Sequence, residues 1–302
     1  MKIAFIGLGQ MGRPMAMNLL KATPGLLVNS ADPAPYGELK MLGAVPVDDP
    51  QELAGADLVF LSLPSDAVVE SVLFGPAGMA SRLRAGSIVV DTSTIGYTQT
   101  LDIAERLKSQ NIHFLDAPVS GMAARAADGT LTAMCGGDPE IFEIVRPYLG
   151  SVASNILHMG GAGTGQLAKL INQLLFDINC AALAEILPMA VKLGLDAEKV
   201  TSIVNTGTGR SYASEFFAPR ILRNVFDEGY PMQHAYKDLV SGSELSARMG
   251  LPLPVLAAAT VTYQTALLQG HGASDKGAMV KVYERLLGVE CRANHAQDAA
   301  VA

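Results

Sequence analysis

The sequence predicts an α/β fold in its first half, arranged as a doubly wound parallel sheet, followed by an all-helical C-terminal domain. Three observations support this prediction. Short apolar runs rich in β-forming residues alternate with helical stretches up to about residue 160. A glycine-rich turn, GLGQMG, follows the first of these runs at once. Beyond residue 160 the β-type runs end, and Gly and Pro separate segments with helical spacing.

The composition is that of a compact chain with more than one domain. Its 302 residues are 49% hydrophobic and 17% charged, which is enough apolar sequence for two cores. The formal net charge is −7 and no run of Lys or Arg occurs, which argues against a nucleic-acid partner. No uninterrupted apolar segment has the length of a membrane span, so no membrane association is expected. Three widely separated cysteines have no metal-ligand spacing, which predicts a reducing, cytoplasmic environment and no metal site.

Residues 2–12 form the pattern of a strand, a tight turn and the start of a helix, which is typical of a Rossmann-type nucleotide-binding domain. In that pattern the first glycine makes the turn, the second lets the backbone approach a pyrophosphate, and the third lets helix and strand pack closely. The diphosphate lies at the N-terminus of the helix. Glycine turns that bind nothing are the alternative. We assign cofactor binding to Gly7, Leu8, Gly9, Gln10, Met11 and Gly12.

The second apolar run predicts which nucleotide is bound. LLVNSAD ends at Asp32, where an acidic side chain would accept hydrogen bonds from the adenosine ribose. An NADP enzyme would place an arginine here, and no basic residue occurs from Val28 to Leu39. The sequence therefore predicts NAD in preference to NADP. The alternative for Asp32 is a turn formed by Asp32 and Pro33.

Three further strand candidates end in residues suited to binding. DLVFLSLP ends in Leu63 and Pro64, and SIVVDTST ends in hydroxyl side chains that include Thr94, so these residues are expected to contact the cofactor. IHFLDAP leads into Ser120 and Gly121, and a hydroxyl beside free backbone N–H groups suits a carboxylate. An ordinary Ser-Gly turn is the alternative for this last pair.

A long helix is predicted after the sheet. From Gly165 to Leu193 apolar residues cover most of the helix circumference, which predicts burial between domains. We therefore divide the chain into an NAD-binding domain (residues 1–160), a long interdomain helix (161–193), an all-helical domain (194–290) and a disordered tail (291–302).

A polar stripe interrupts this apolar helix. Lys169, Asn172 and Gln173 stand at positions i, i+3 and i+4 and share one face, and Gln166 extends the stripe by one turn. A buried lysine needs a partner or a task. An amine held near a reacting carbonyl can act as a general acid, with the amides orienting the substrate. The structural alternative is a salt bridge from the lysine to Asp177 or Glu185.

With these residues in place, the sequence resembles the β-hydroxyacid dehydrogenases, the family of 3-hydroxyisobutyrate dehydrogenase and tartronate semialdehyde reductase, over nearly all of residues 1–288. The resemblance rests on motifs in a fixed order, which are GLGQMGRPMAMNL, DAPVSG, GTLTAMCGG, GAGTGQLAKLINQ and YKDL. The resemblance implies that Lys169 is the catalytic lysine and that Asn172 orients the substrate. It implies that Ser120 and Gly121 bind the substrate carboxylate. It also implies that Thr94 and Lys237 contact the cofactor. It also implies a helical domain that packs against a partner subunit, in a homodimer or homotetramer.

The chain departs from the family pattern at the substrate site. Many members have a second glycine after DAPVSG, where this chain has Met122. Many have two consecutive asparagines after the lysine, whereas Gln173 here resembles the tartronate semialdehyde reductase branch. Arg210 and Tyr212 stand where the family builds the far wall of the pocket, and they are candidates to meet a second polar group, with an exposed loop arginine as the alternative for Arg210.

The predicted function is reversible hydride transfer between NAD and a small 3-hydroxy acid that carries a carboxylate. A reductase of imines, or of a sulfonated or phosphorylated aldehyde, is the first alternative. A nucleotide-binding module without chemistry is the second, and the presence of Lys169 weighs against it.

Overall fold

A computed structural model describes residues 1–293 as two compact units, residues 1–169 and the remainder from 170 onward. The division falls inside the long helix rather than before it. Most of the predicted tail, residues 294–302, lies outside the described residues. The first residue of that tail, Cys291, is buried, and its backbone N–H donates to Glu284 at 2.7 Å.

The described part of the first unit contains one sheet of nine strands. They are β1 (Ile3–Ile6), β2 (Leu27–Asn29), β3 (Val45–Pro46), β4 (Leu58–Leu61), β5 (Ile88–Asp91), β6 (His113–Asp116), β7 (Val119–Ser120), β8 (Leu131–Gly137) and β9 (Ala153–Gly160). Their order is β3-β2-β1-β4-β5-β6-β8-β7, with β9 paired to β8. Strands β1 to β6 are all parallel, so the predicted doubly wound sheet is confirmed for this part of the unit.

The other edge of the sheet differs from a purely parallel arrangement. Strand β8 runs antiparallel to β6 and β7, and β9 runs parallel to β8. The link from β7 to β8 is residues 121–130, which is short for the crossover that a parallel pair requires, so the chain reverses direction instead.

Six α-helices lie wholly within the first unit: α1 (Gly12–Ala22), α2 (Tyr36–Met41), α3 (Asp66–Phe74), α4 (Tyr97–Lys108), α5 (Met122–Asp128) and α6 (Pro139–Leu149). The core lies on both faces of the sheet. Ile3 and Phe5 of β1 join one apolar cluster, and Ala4 and Ile6 join another. Burial on both faces explains why the parallel strands read as continuous apolar runs rather than alternating ones.

The second unit is all-helical over its described residues, as predicted. It contains most of α7 (Thr164–Lys192), then α8 (Ala197–Thr206), α9 (Tyr212–Leu222), α10 (Met232–Met249), α11 (Pro254–Leu268) and α12 (Val280–Leu287). Helix α7 is, among residues 1–293, the one helix long and apolar enough to span a membrane. The core helix of a folded domain meets the same criteria, and α7 carries a fully buried carboxylate, Asp177, that is ion-paired with Lys276.

Candidate active site

The glycine turn after β1 has the shape that a dinucleotide requires. Gly7 has φ +95°, and a Cβ there would lie 2.2 Å from the Ser62 carbonyl oxygen. A Cβ on Gly12 would lie 1.9 Å from the Gly7 carbonyl oxygen. A Cβ on Gly9 would meet no atom within 4 Å. The first and third glycines are therefore required by the protein's own backbone, whereas the second leaves open space at the start of α1 where a pyrophosphate fits.

Asp32 lies beyond the second strand rather than at its end. Strand β2 ends at Asn29, and the exposed Asp32 carboxylate accepts a hydrogen bond from the Ala34 N–H at 3.0 Å. The turn-forming role is therefore present. A carboxylate has two oxygens and accepts several hydrogen bonds, so the Asp32 side chain can still accept hydrogen bonds from a ribose.

The loops after β4 and β5 meet at the carboxyl edge of the sheet. Leu63 and Pro64 follow β4, and Thr94 follows β5. The Leu63 N–H donates to the Ser93 hydroxyl at 2.8 Å, which joins the two loops. The structure thus brings these predicted cofactor residues to one edge of the sheet, where parallel α/β sheets bind their ligands.

The start of α7 is fixed to this same edge by a buried carboxylate. Asp116, the last residue of β6, accepts hydrogen bonds from the Gly163 N–H at 2.7 Å and the Gln166 N–H at 2.9 Å. The Gln166 side chain donates to the Ser93 carbonyl at 2.7 Å and accepts from the Ile95 N–H at 3.3 Å. The helix that carries Lys169 is therefore tied to the loop that carries Thr94.

Sequence reasoning did not identify this cap. The available signal was an aspartate at a strand end and the glycine-rich entry to α7. A Cβ on Gly165 would lie 2.3 Å from the Met134 carbonyl oxygen, so only glycine lets the helix start this close to β8. A Cβ on Gly136 would likewise lie 2.6 Å from Asp116 Oδ1.

Asp116 has a carboxylate neighbour, since it pairs in register with Asp91 at the end of β5. Both side chains are fully buried. The pKa of each is raised from 3.8 to about 6, chiefly by burial, and for Asp91 the neighbouring Asp116 carboxylate contributes to this rise. Asp91 Oδ1 accepts from the Ser93 N–H at 2.9 Å, while Oδ2 has no hydrogen-bond partner among residues 1–293.

This pair predicts how stability changes with pH. Because the folded state holds these protons more tightly than the unfolded state, the stabilisation is complete below about pH 4 and is lost as pH rises through about 6. Each carboxyl accounts for about 3 kcal/mol of that loss. In urea titrations at about pH 5 and about pH 8, Asp91→Asn should show a smaller change in unfolding free energy than the parent. Equal pH dependence of the two proteins would contradict this assignment.

The polar stripe of α7 is present as predicted. Lys169 is 8% exposed, and Asn172 and Gln173 lie one turn further along the same helix. Asn172 Nδ2 donates to Gln173 Oε1 at 3.2 Å, and Gln173 Nε2 donates to Asp238 Oδ2 at 3.3 Å. Asp238 neighbours the predicted cofactor residue Lys237 on α10.

Both carboxylates considered as salt-bridge partners for the lysine have other partners. Asp177 pairs with Lys276, and Glu185 accepts a hydrogen bond from the Tyr283 hydroxyl at 2.7 Å. An ion pair from Lys169 to either carboxylate, which is the structural alternative, would have to share that carboxylate with the partner it already has.

The turn at Ser120 and Gly121, which is predicted to bind the substrate carboxylate, has an unusual backbone conformation. Ser120 ends β7, Gly121 has φ +141°, and Met122 has φ +61°. A left-handed conformation is costly for a non-glycine residue and typically marks a functional constraint. Met122 is 38% exposed, so its side chain is not part of the core.

We expect Met122→Gly to change the ranking of substrates while leaving NADH affinity unchanged, because the cofactor turn is formed by other residues. Glycine also relieves the left-handed strain, so the variant should be at least as stable as the parent, whereas Met122→Val should lose about 1–2 kcal/mol. Thermal melts and kcat/KM values for several hydroxy acids measure both effects. An unchanged ranking would remove Met122 from the substrate site.

The far-wall residues have separate surroundings. Arg210 is exposed and forms an ion pair with Glu215 at 3.5 Å, the arrangement of a surface loop arginine. Tyr212 packs edge-on against Phe176, with ring centroids 5.6 Å apart. No group of three or more potential metal ligands occurs among the described side chains.

Comparisons with known proteins identify the family. Residues 2–161 match the NAD binding domain of 6-phosphogluconate dehydrogenase, and residues 163–283 match the family described as NAD-binding of NADP-dependent 3-hydroxyisobutyrate dehydrogenase. The chain is 39% identical over 292 residues to 2-(hydroxymethyl)glutarate dehydrogenase of Eubacterium barkeri, covering 95% of this chain and 96% of that one. The chain belongs to the β-hydroxyacid dehydrogenase family.

Other β-hydroxyacid dehydrogenases are similar over the same length. 2-Hydroxy-3-oxopropionate reductase of Escherichia coli K12 is 35% identical, with 94% of this chain and 97% of that one covered. The structure of 3-hydroxyisobutyrate dehydrogenase from Mycobacterium tuberculosis with L-serine superposes with a TM-score of 0.83 at 30% identity, covering 93% of this chain and 98% of that one. This β-hydroxyacid dehydrogenase is therefore an NAD(P)-dependent oxidoreductase with a small-molecule substrate.

Proposed function

We propose that this protein is an NAD-linked dehydrogenase that acts reversibly on a small 3-hydroxy acid carrying a carboxylate. The observation that supports this most strongly is the α7 stripe, in which a buried lysine is followed one turn later by two side-chain amides. The names of the relatives add support, since 2-(hydroxymethyl)glutarate and 2-hydroxy-3-oxopropionate are both small carboxylates.

Each residue has a distinct task in this proposal. When bound, the nicotinamide supplies or accepts a hydride at its C4. The Lys169 ammonium protonates the forming alkoxide, and the neutral amine accepts that proton in the reverse direction. Asn172 orients the substrate beside the lysine. The Ser120 hydroxyl and the Gly121 N–H hold the carboxylate.

The cofactor preference is a separate prediction. We expect kcat/KM to favour NAD over NADP by at least about tenfold, on the order of 1.4 kcal/mol, because Asp32 would repel a 2′-phosphate. Arg13, on the first helix, is ion-paired with Glu38, so its guanidinium already has a carboxylate partner. Steady-state assays with both cofactors measure the ratio. Equal use, or a preference for NADP, would leave Asp32 with its turn-forming role alone.

A panel of small hydroxy acids, assayed with NAD and NADP by the absorbance of the reduced cofactor, tests the proposed function. Turnover of 3-hydroxy acids supports it. Reduction of imines, or of sulfonated or phosphorylated aldehydes, in place of hydroxy acids would overturn it. The imine reductase of Pseudomonas sp. is 20% identical with a TM-score of 0.60, so its likeness shows the fold alone.

We further propose a cytoplasmic homodimer or homotetramer. Helix α7 has a stripe of exposed apolar side chains that another subunit would cover; they are Ile171, Leu175, Ile186 and Met189, each between 46% and 60% exposed. Light scattering of the purified protein measures the assembly, and a monomer at micromolar concentration would contradict it.

A further inference from the structure

The helical unit contains an ion pair in its core. Lys276 pairs with Asp177, and their side chains are 3% and 0% exposed. The Tyr263 hydroxyl, also fully buried, donates to the same Asp177 oxygen at 3.0 Å. The other Asp177 oxygen has no hydrogen-bond partner among residues 1–293.

Such a pair is a poor way to stabilise a core. Removing two charges from water costs more than their attraction returns unless every remaining polar atom is satisfied, and apolar residues of similar volume usually stabilise as well. Here one carboxylate oxygen is left unsatisfied, and burial raises the pKa of Asp177 despite the neighbouring ammonium. Stability alone therefore does not explain why the Lys276 ammonium lies in this core.

The ammonium lies against an aromatic ring. Lys276 Nζ is 4.3 Å from the centroid of the Phe176 ring, within the range of a cation–π contact. Phe217 stacks on the same ring at 6.1 Å, and Tyr212 packs edge-on at 5.6 Å. The Phe176 ring is thus held by a cation and two aromatic neighbours.

Phe176 continues the polar stripe of α7. It stands three residues after Gln173 and four after Asn172, so it lies on the same helix face, about one turn further along. Its side chain is only partly buried, so some of the ring surface remains accessible. On this helix face the Phe176 ring follows Asn172 on the side away from Lys169.

We propose that Lys276 and Asp177 are positioning residues that hold the Phe176 ring as the end wall of the substrate pocket, where the ring limits the size of the substituent on C2 of the hydroxy acid. This inference rests on the proposed function. Lys276 acts through the ring and does not touch the substrate.

The test uses four 3-hydroxypropanoates that carry hydrogen, methyl, ethyl or propyl at C2. In Phe176→Leu, kcat/KM for the propyl acid relative to the methyl acid should rise by about tenfold or more, because a smaller side chain opens the wall. The double variant Lys276→Met with Asp177→Leu should melt near the parent temperature and shift the same ratio by about three- to tenfold. Fluorescence titrations should give an unchanged Kd for NADH in both.

Two further variants separate positioning from folding. Lys276→Arg keeps the cation over the ring, so it should keep the parent ranking even if the double variant folds poorly. Lys281→Met removes an equivalent contact, in which Nζ lies 4.2 Å from the Phe226 ring centroid, and should also leave the ranking unchanged.

The outcomes are distinguishable. Turnover of these acids with a ranking unchanged in Phe176→Leu overturns the inference alone. The inference is also overturned if Lys281→Met or Lys276→Arg changes the propyl-to-methyl ratio of kcat/KM as much as the double variant does. No turnover of any of the four acids by the parent overturns the proposed function, and this inference with it.

Discussion

Lys169→Met is expected to lower kcat by about 10²–10⁴-fold, the contribution typical of a general acid–base group, while NADH binds with near-normal affinity. Methionine removes the ammonium but keeps an unbranched apolar stem of similar length. The side chain is 8% exposed, so the stem packs in place and the helix should be retained. Steady-state kinetics and quenching of NADH fluorescence give the two quantities.

A second variant on the same helix should behave differently. Asn172→Ala is expected to raise KM as well as to lower kcat, because an orienting amide contributes to both binding and alignment. If Lys169 instead served a buried ion pair, its loss would strand a carboxylate and cost about 3–5 kcal/mol of stability. An inactive Lys169→Met that melts far below the parent would therefore defeat the catalytic assignment.

Gly9→Ala should weaken NADH binding by about tenfold or more without lowering the melting temperature. A Cβ at this position meets no atom of the protein within 4 Å, so the fold tolerates it. The same methyl group would occupy the space that the pyrophosphate needs, and such an overlap costs about 1–3 kcal/mol. Titration of NADH fluorescence and a melt without cofactor separate the two effects.

Gly12→Ala is the matched control for the turn. Its Cβ would lie 1.9 Å from the Gly7 carbonyl oxygen, so α1 must move away from β1 whether or not cofactor is present. We expect a loss of about 3 kcal/mol or more in the protein alone. Normal NADH affinity in Gly9→Ala, or normal stability in Gly12→Ala, would contradict the separate roles of these glycines.

The sequence was sufficient for the features that depend on local pattern. The glycine turn, the parallel strands β1 to β6 and the helical second half follow from residue types at short spacing. The stripe of Lys169, Asn172 and Gln173 follows from helix periodicity alone. The ordered series of short motifs from GLGQMGRPMAMNL to YKDL was sufficient to predict the β-hydroxyacid dehydrogenase family, because the motifs occur in a fixed order along the chain.

Long-range contacts could not be read from the sequence. Asp116 caps helix α7, which starts at Thr164, 48 residues later. Lys276 pairs with Asp177, which is 99 positions earlier in the chain. Nothing in the spacing of these residues indicates a partner so distant. The antiparallel β8 was missed for a similar reason, since its apolar run has the same appearance in either direction.

The sequence predicted that an acidic residue follows the second strand, but it did not predict how far beyond the strand end this residue lies. Asp32 lies three residues beyond β2, because the strand stops at Asn29, whose side-chain amide bonds to the Val47 carbonyl at 2.8 Å. The strain at Met122 was also beyond the sequence, since a left-handed φ at a methionine depends on how the chain leaves β7.

The central claim is that a hydride moves between C4 of the nicotinamide and the hydroxyl-bearing carbon of a 3-hydroxy acid, with Lys169 transferring the proton. The most direct measurement is a single turnover of NADH that carries deuterium at both C4 positions, with the aldehyde of the best substrate in the panel. The account predicts deuterium on the carbinol carbon of the product, and in Lys169→Met the same label delivered about 10²–10⁴-fold more slowly. A product without deuterium at that carbon, or an unchanged rate in a folded Lys169→Met, would contradict it.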